Sequence, residues 1–264
     1  MLLAVDIGNS NIVVAVFDNE ELIQEWRIST DSRRTGDEYF TVLETLMRNS
    51  FVKKDNIKSS VLSSVVPILI GPFVKAIKLL IGNKPLIVSP EIYPKLPIHI
   101  PESAIHEIGS DLLCNAVEAW TRYKKASIVV DFGTALTFTA VDNKGNIQGI
   151  AITPGLGTAI RALFTNTAQI PDVALEAPES SLGTNTIMAV QSGIVLGYKG
   201  LVESLVNRMK EDLSVKTGCS KTDIYVVATG GLNSVLRPLT DCFDEVDKNF
   251  TLSGLRKIAL YVET

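Results

Sequence analysis

The 264-residue sequence predicts an α/β protein built from two related halves. Strand-like apolar runs alternate with segments of helical periodicity, which is typical of α/β domains. Laid over each other without a gap, Val5–Phe17 and Val130–Asp142 match at five of thirteen positions, including the turn residues. The offset of 125 residues divides the chain near its middle. We therefore expect two halves, at 1–123 and 124–264, rather than a solenoid, whose repeats are far shorter.

The first half is predicted to open with three strands joined by tight turns. Leu2–Asp6, Ile12–Phe17 and Leu22–Ile28 are short, rich in apolar and β-branched residues, and separated by polar turn residues. The later elements follow from the helical spacing of apolar residues and from proline or glycine stops. They are a helix over Glu38–Arg48, a strand over Ile57–Val66, a helix through Phe73, Ile77 and Leu80, a strand over Leu86–Val88, and a helix capped by Ser110 or Asp111.

The second half repeats the three-strand opening and then adds a long helix. Its strands are predicted over Ile128–Asp131, Leu136–Val141, Ile147–Ile152 and Ile224–Val227, and its helices run through Ile160 and Leu163, from Thr186 to Leu213, and over Ser253–Val262. The long helix contains Gly193, Gly197 and Gly200, each of which costs about 1 kcal/mol of helix propensity relative to alanine. We expect these glycines to allow close approach of a neighbouring helix, in the same chain or in a partner subunit.

Composition excludes several classes of function. The net charge of -4 and the pI of about 5.3 provide no basic field for a nucleic-acid backbone or an anionic membrane surface. The three cysteines are scattered and odd in number, which favours a reducing compartment. The N-terminus reaches the acidic Asp6 at once and lacks a basic segment before an apolar core, so we expect no signal peptide; no uncharged run reaches the ~20 residues of a membrane span. We expect a cytoplasmic protein that binds neither nucleic acid nor membrane.

An aspartate followed by a glycine turn ends the first strand of each half. Asp6 precedes Gly8 in the first copy, and Asp131 precedes Gly133 in the second. Such turns present backbone N–H groups to an anion, and their carboxylates can bind a cation. The pair therefore predicts a site for nucleotide phosphates. The alternative is that both are ordinary hairpins with an aspartate at a strand end.

Other nucleotide and catalytic motifs are absent from the sequence. There is no Gly-x-x-x-x-Gly-Lys-[Ser/Thr], and no Gly-x-Gly-x-x-Gly follows a first strand, which argues against P-loop and Rossmann sites. The two histidines, His99 and His106, do not support a catalytic triad or a zinc site. Gly230-Gly231 follows an apolar strand and forms a third glycine turn, on which a purine ring could lie flat.

Together with the segments around them, the two aspartate turns resemble the phosphate motifs of type III pantothenate kinases. Asp6-Ile7-Gly8-Asn9-Ser10 is similar to the family's Asp-x-Gly-Asn-Thr, and Asp131–Thr137 is similar to its Asp-Phe-Gly-Thr-Ala-Thr-Thr. Further matches, in the family's order, are Gly109-Ser110-Asp111, Pro154-Gly155, Thr167-Ala168-Gln169-Ile170-Pro171, Asn185-Thr186, Gln191-Ser192-Gly193 and Ala228-Thr229-Gly230-Gly231. The resemblance covers nearly the whole chain.

The resemblance implies the acetate and sugar kinase/Hsp70/actin fold. This fold has two ribonuclease-H-like halves, in which helices flank mixed sheets, with ATP between the halves. The implied activity is ATP-dependent phosphorylation of pantothenate to 4'-phosphopantothenate, the first step of coenzyme A biosynthesis. The resemblance also implies a homodimer with pantothenate near the subunit interface, and a requirement for Mg²⁺ and a monovalent cation, K⁺ or NH₄⁺.

The expected roles of individual residues follow from the same resemblance. Asp111 is the expected general base, Asp131 the ligand of the monovalent cation, and Asp6 a ligand of Mg²⁺. The residues expected to contact ATP are Asp6, Ile7, Gly8, Asn9, Ser10, Asn11, Ile12, Val13, Thr134, Gly230 and Gly231. Those expected to contact pantothenate are Gly109, Ser110, Asp111, Leu112 and, from the partner subunit, Thr186.

The chain departs from the family at the acceptor site. Leu112 stands where the family has an arginine that binds the substrate carboxylate, and Glu102 and Ile105 replace a Tyr-x-x-Pro pattern. Loss of a charge-assisted hydrogen bond costs about 1.5–3 kcal/mol, which Arg161 or Arg122 could restore. Two alternatives stay open: a kinase of the same fold for another small hydroxy compound, and a catalytically weakened nucleotide-binding regulatory protein like the Bvg accessory factor.

Overall fold

The first half of the chain forms a five-stranded sheet with helices between its strands. In the computed structural model, which describes residues 1–166, 173–231 and 233–263, β1 runs parallel to β4, and β4 to β5, whereas β1, β2 and β3 are antiparallel. The strands, in the spatial order β3-β2-β1-β4-β5, are β1 (Leu2–Ile7), β2 (Asn11–Asp18), β3 (Glu21–Ser29), β4 (Ser59–Ser64) and β5 (Leu86–Ile87). The helices are α1 (Gly36–Arg48), α2 (Ile70–Ile81) and α3 (Ser110–Tyr123). The predicted strands are confirmed, with bounds within two residues.

Helix α1 begins two residues before its predicted start because a capping box fixes its first turn. The Thr35 hydroxyl accepts a hydrogen bond from the Glu38 backbone N–H, and the Glu38 carboxylate accepts one from the Thr35 backbone N–H at 2.7 Å. From this start α1 places Tyr39 and its apolar neighbours in the core, where the centroids of the Tyr39 and Phe73 rings lie 4.4 Å apart. The core thereby joins α1 and α2 to the sheet.

The second half forms a sheet of the same order. Its strands are β6 (Ser127–Phe132), β7 (Ala135–Val141), β8 (Ile147–Pro154), β9 (Tyr225–Gly230) and β10 (Glu245–Val246), arranged β10-β9-β6-β7-β8. The helices are α4 (Leu156–Thr165), α5 (Thr186–Gln191), α6 (Gly197–Thr217), α7 (Asn233–Leu236) and α8 (Phe250–Glu263). Two mixed sheets flanked by helices confirm the predicted fold class. The predicted motif at 167–171 lies outside the described residues.

The middle strands of the two sheets correct the gapless superposition of the repeat. In the first sheet Ile7 pairs with Ile12, so four residues lie between these paired positions. In the second sheet Phe132 pairs with Leu136, so only three residues lie between the paired positions. The sequence matches in β2 and β7 are therefore out of structural register by one position. The longer second turn of the second half restores the offset in the third strands, where Leu22 corresponds to Ile147.

The long helix predicted from Thr186 to Leu213 is interrupted. A π-helical turn over Ser192–Leu196 separates α5 from α6. A β-carbon built at Gly193, Gly197 or Gly200 would meet no atom within 4 Å among the described residues outside the helix itself. Close approach within the described chain was therefore a wrong explanation for these glycines.

Contacts divide the chain into two compact units that differ from the sequence halves in the place of α8. One unit comprises Met1–Glu118 together with the stretch that begins at Thr251, and the other is Ala119–Phe250. Helix α8 packs on α3, because Gly254 lies so close to α3 that a β-carbon there would overlap the Cys114 carbonyl. The Thr251 hydroxyl also donates to Asn115 Oδ1 at 2.8 Å. The internal repeat could not predict this packing, because α8 lies outside the repeated strands.

Candidate active site

The loop between β1 and β2 is a tight turn that is stabilised by a hydrogen bond within the turn and by hydrogen bonds from Thr30, the residue after β3. The Gly8 N–H donates to the Asn11 carbonyl at 3.0 Å and closes the turn. Just beyond β3, the Thr30 hydroxyl donates to the Gly8 carbonyl at 2.7 Å, and the Thr30 N–H donates to the Ser10 carbonyl at 3.1 Å. The side chains of Asn9, Ser10 and Asn11 are exposed. The loop therefore presents polar groups to solvent while the Gly8 amide is used internally.

The other residues predicted for this loop divide by burial. The side chains of Ile7 and Ile12 are fully buried in the hydrophobic core, so neither can contact a phosphate except through its backbone. Asp6 and Val13 are only partly buried. The predicted stretch from Asp6 to Val13 thus contains structural positions as well as positions open to a ligand.

The loop between β6 and β7 has a similar closure and a different support. The Gly133 N–H donates to the Ala135 carbonyl at 3.1 Å. The Thr134 carbonyl accepts from the Gly155 N–H at 3.0 Å and from the Thr158 hydroxyl at 2.7 Å, while the Thr134 side chain is exposed. A β-carbon at Gly155 would overlap the Gly133 carbonyl, which explains the glycine after Pro154.

Asp131 and Gly230 lie together at the ends of the paired strands β6 and β9. Gly230 has φ of +86°, and a β-carbon there would lie 2.7 Å from Asp131 Oδ1. Both the left-handed backbone and the lack of space require glycine. Gly231, by contrast, is exposed with open space around its α-carbon.

Asp111 lies in the first turn of α3. The Leu113 N–H donates to the Gly109 carbonyl, so Gly109 occupies the N-cap position and the predicted capping by Ser110 or Asp111 was wrong. Asp111 Oδ1 accepts from the Leu112 N–H at 2.8 Å. Burial raises the pKa of Asp111, and the backbone N–H groups of Leu112 and of Asp111 itself act in the opposite direction. A carboxylate with a raised pKa is suited to accept a proton near neutral pH.

Gly109 controls where the Asp111 carboxylate lies. A β-carbon at position 109 would overlap Asp111 Oδ1, whereas the nearest other side chain, that of Val65, would be 3.6 Å away. The carboxylate therefore folds back over the glycine. Leu112, at the position of the missing arginine, is buried with 6% exposure.

A chain of hydroxyl groups joins Asp6 to the start of α3. Ser63, at the end of β4, donates to Asp6 Oδ1 at 2.8 Å, and its Oγ lies 2.9 Å from Ser110 Oγ. Burial raises the pKa of the Cys114 thiol well above its ordinary value, and the nearby carboxylates of Asp6 and Asp111 act in the same direction. The first unit therefore brings together two of the predicted carboxylates, whereas Ser63 was not predicted.

Thr186 is the first residue of α5 and its side chain is exposed. The Asn185 side chain caps this helix by accepting from the Met188 N–H at 2.9 Å. A pocket of about 530 Å³ lies beside it, bordered by Leu163 of α4 and by Thr186, Val190 and Gly193.

Neither a membrane span nor a clustered metal site is found in the described residues. No helix within 1–166, 173–231 or 233–263 is long and apolar enough to cross a membrane. The same residues contain no group of three or more histidine, cysteine or acidic side chains that could hold a metal ion.

Two sheets of one strand order, each with an Asp-x-Gly turn after its first strand, are typical of the actin/Hsp70/sugar-kinase fold class. Solved structures of this class resemble the chain. A Baf family protein from Campylobacter jejuni has a TM-score of 0.57 at 18% identity, covering 98% of this chain and 97% of that one. The activator of 2-hydroxyisocaproyl-CoA dehydratase from Clostridium difficile, solved with bound ADPNP, has a TM-score of 0.51 at 15% identity, covering 99% and 93%.

Sequence comparisons identify the family within this class. The profile of the family "Type III pantothenate kinase" matches residues 2–208. The type III pantothenate kinase of Citrifermentans bemidjiense is 41% identical over 258 residues, which is 98% of both chains. Those of Geobacter sulfurreducens and Moorella thermoacetica are each 40% identical over 256 residues, 97% of both chains. The chain belongs to the type III pantothenate kinase family.

Proposed function

We propose that this protein transfers the γ-phosphoryl group of ATP to the primary hydroxyl of pantothenate, the first step of coenzyme A biosynthesis. The observation that carries the proposal is the match to type III pantothenate kinases over almost the entire length of the chain and of its relatives. The partly buried carboxylate at the start of α3 supplies a candidate for the base that this reaction needs. The odd number of scattered cysteines favours the cytoplasm as the place of the reaction.

Asp111 is our candidate for the general base. A primary hydroxyl is a poor nucleophile, and a positioned carboxylate that accepts its proton typically contributes 10²- to 10⁴-fold in rate. In the proposed step the hydroxyl oxygen bonds to the γ-phosphorus, the bond from that phosphorus to the ADP oxygen breaks, and the proton passes to Asp111. Its raised pKa increases its strength as a base.

The two glycine turns are the proposed contacts of the nucleotide. Because the Gly8 and Gly133 amides already close their own turns, phosphate contacts fall to the groups that follow, namely Asn9, Ser10 and the Thr134 hydroxyl. The backbone of Gly230-Gly231 is the proposed support of the purine ring.

The proposed cation ligands are single carboxylates. Mg²⁺ is usually bound by one or two carboxylates together with substrate phosphates and water, so Asp6 fits it without a larger acidic cluster. When bound, Mg²⁺ neutralises charge on the transferring phosphate. Asp131, which lies beside Gly230, is the proposed ligand of K⁺ or NH₄⁺.

We assign the α5–α6 face to a homodimer interface. Ile187 is 50% exposed, and the open α-carbons of Gly193, Gly197 and Gly200 leave room for a second helix. Thr186 on this face would then contact pantothenate bound to the partner subunit. Light scattering should give twice the 28.6 kDa chain mass, and Ile187→Asp should shift the protein towards monomer. Val215→Asp, at an 86% exposed site, is the control and should remain dimeric; a monomeric parent contradicts the assignment.

The side chain that would bind the pantothenate carboxylate is the least certain part of the site, because Leu112 stands where the family has an arginine. Leu112 is buried, and Arg122 is engaged with Glu245 at 2.9 Å and Asp247 at 2.8 Å. Arg161, exposed on α4, is therefore the remaining candidate to bind the pantothenate carboxylate. These facts favour, as a second candidate function, a kinase of this fold that acts on another small hydroxy compound.

One coupled assay tests the proposal. ADP formation from ATP and Mg²⁺ is measured with and without pantothenate, in Na⁺, K⁺ and NH₄⁺ buffers. The proposal predicts turnover that requires pantothenate and increases with K⁺ or NH₄⁺. Turnover with other hydroxy compounds alone supports the second candidate. Nucleotide binding without any turnover supports a regulatory protein of the Bvg accessory factor kind.

A further inference from the structure

The Ser63 hydroxyl is buried between the two catalytic segments of the first unit. Ser63 has 0% exposure, and Ser110 has 6%. Residue 63 pairs with Asp6 in the parallel register of β4 and β1, which places its side chain at the same end of the sheet as the first glycine turn. It hydrogen-bonds to Asp6 on one side and to Ser110 on the other.

The direction of the hydrogen bonds among Ser110, Ser63 and Asp6 follows from the number of protons that each group can donate. An ionised carboxylate only accepts hydrogen bonds, so Ser63 must give its single proton to Asp6. The Ser110 hydroxyl must then donate to Ser63. The result is a directed chain from Ser110 through Ser63 to Asp6, in which each bond polarises the next.

The second sheet has a different residue at the position of Ser63. Thr229 occupies this position, because it pairs with Asp131 as Ser63 pairs with Asp6. Gly230 packs closely against the Asp131 carboxylate, since a β-carbon at position 230 would lie 2.7 Å from Asp131 Oδ1. The bridge from β4 to the start of α3 lies in the first unit, which also contains Asp111.

We propose that Ser63 is a positioning residue, whose hydroxyl fixes the Asp6 carboxylate relative to the Ser110-Asp111 turn. The group proposed to bind the phosphate-bound Mg²⁺ and the proposed base are thereby held as one unit. This inference rests on the proposed roles of Asp6 and Asp111. It adds a residue that touches neither substrate and acts through both carboxylates.

Ser60 provides a matched control for the loss of a buried hydroxyl. It lies on the same strand, is 5% exposed, and its Oγ has no hydrogen-bond partner among the described residues. Ser60→Ala therefore removes the same group from the same strand without breaking the bridge. An effect that is specific to Ser63→Ala cannot be ascribed to burial alone.

The test measures affinity for a non-hydrolysable ATP analogue by calorimetry as Mg²⁺ is varied, together with kcat and KM. Ser63→Ala should raise the Mg²⁺ concentration needed for half-maximal binding about tenfold and lower kcat about tenfold, with KM for pantothenate unchanged. Without Mg²⁺ the analogue should bind the parent and the variant alike. Ser63→Thr keeps the hydroxyl donor and should stay within about threefold of the parent.

The outcomes separate this inference from the proposed function. If the parent shows no turnover with pantothenate, the proposed function fails, yet the Mg²⁺ dependence of analogue binding still decides the role of Ser63. Parent-like binding and kcat in Ser63→Ala would overturn the inference, as would equal losses in Ser60→Ala. If Ser63→Ala does not fold, Ser63→Cys keeps the volume with a weaker donor and should show a smaller loss in the same direction.

Discussion

The glycine turns after β1 and β6 share a sequence signature but differ in length and support. Each is closed by its glycine N–H, across four residues at Gly8 and three at Gly133. Each is also held by a threonine hydroxyl that lies beyond the third strand. Thr30 donates to the Gly8 carbonyl, and Thr158 donates to the Thr134 carbonyl. In both halves a threonine hydroxyl holds the glycine turn, but it donates to the glycine carbonyl in the first turn and to the carbonyl of the next residue in the second.

The aspartates before these turns differ more strongly. Asp6 accepts a hydrogen bond from the buried Ser63 hydroxyl, whereas Asp131 faces Gly230, where there is no side chain. The Asp6 carboxylate is hydrogen-bonded to a strand hydroxyl, whereas Asp131 Oδ1 lies so close to the Gly230 α-carbon that only glycine fits there. This difference fits the proposal that Asp6 serves a phosphate-bound Mg²⁺ and Asp131 a monovalent cation. It also predicts that equivalent changes in the two halves will have unequal effects.

The largest effect is expected from Asp111→Asn, because this change removes the proposed general base. Loss of the base should lower kcat by about 10²- to 10⁴-fold while nucleotide affinity stays near that of the parent. Steady-state kinetics and calorimetry measure the two quantities. Asp142→Asn is a contrasting change, since Asp142 accepts four hydrogen bonds within its turn and should affect stability rather than kcat.

Asp111 and Asp142 are expected to change the free energy of unfolding with pH in opposite directions. Burial raises the pKa of Asp111 in the folded state, so its contribution is present below the unfolded pKa and lost as pH rises through the folded one. Asp111→Asn should therefore keep or raise Tm at neutral pH. The hydrogen bonds to Asp142 lower its pKa against the effect of burial, so its contribution to the free energy of unfolding is lost as pH falls.

Full activity of Asp111→Asn in the kinetic assay would leave Asp111 with a structural role only.

Gly230→Ala should have the next largest effect, on stability. The left-handed backbone and the contact 2.7 Å from Asp131 Oδ1 should together cost about 2 kcal/mol or more in the free energy of unfolding. Gly149→Ala in β8, where a β-carbon meets nothing within 4 Å, is the matched control and should be neutral or slightly stabilising. Urea titration measures both. Equal stability of the two variants would remove the argument that Asp131 needs a glycine beside it.

The smallest effect is expected from the threonines that support the turns. Thr30→Val and Thr158→Val each remove one hydroxyl donor with little change of shape. Each should cost about 1 kcal/mol, which is about fivefold in nucleotide affinity. In the second turn, the carbonyl that loses the hydroxyl donor is that of Thr134, which keeps its hydrogen bond from the Gly155 N–H, so we expect Thr158→Val to be the milder change. A larger loss in Thr158→Val than in Thr30→Val would reverse this ranking.

The sequence predicted the strands and the two aspartate turns because short apolar runs and glycine turns are local signals. It failed on the register of β2 and β7, since a one-residue difference in turn length cannot be seen in a gapless match. The capping of α3 was assigned to Ser110 or Asp111 because glycine is a weaker cap signal than either. The Gly109 carbonyl is at the N-cap instead, and Ser110 is hydrogen-bonded to Ser63.

Residues that depend on distant contacts could not be found from the sequence. Ser63 is one of several serines on β4, and only the pairing of β4 with β1 and the arrival of α3 give it a role. Thr30 and Thr158 likewise act on turns that are 22 and 24 residues away in sequence. The packing of α8 on α3 joins Thr251 to Asn115 across 136 residues of sequence, which the internal repeat cannot indicate.

The measurement that tests the account most directly is calorimetric binding of a non-hydrolysable ATP analogue, with Mg²⁺, to Gly8→Val and Gly133→Val. A β-carbon would lie 3.0 Å from the Asn11 carbonyl in the first turn and 3.2 Å from the Ala135 carbonyl in the second, so each change should distort its turn. Both variants should bind at least about tenfold more weakly than the parent, while Gly149→Val binds normally. Parent-like binding by either glycine variant would contradict a nucleotide site that needs both turns.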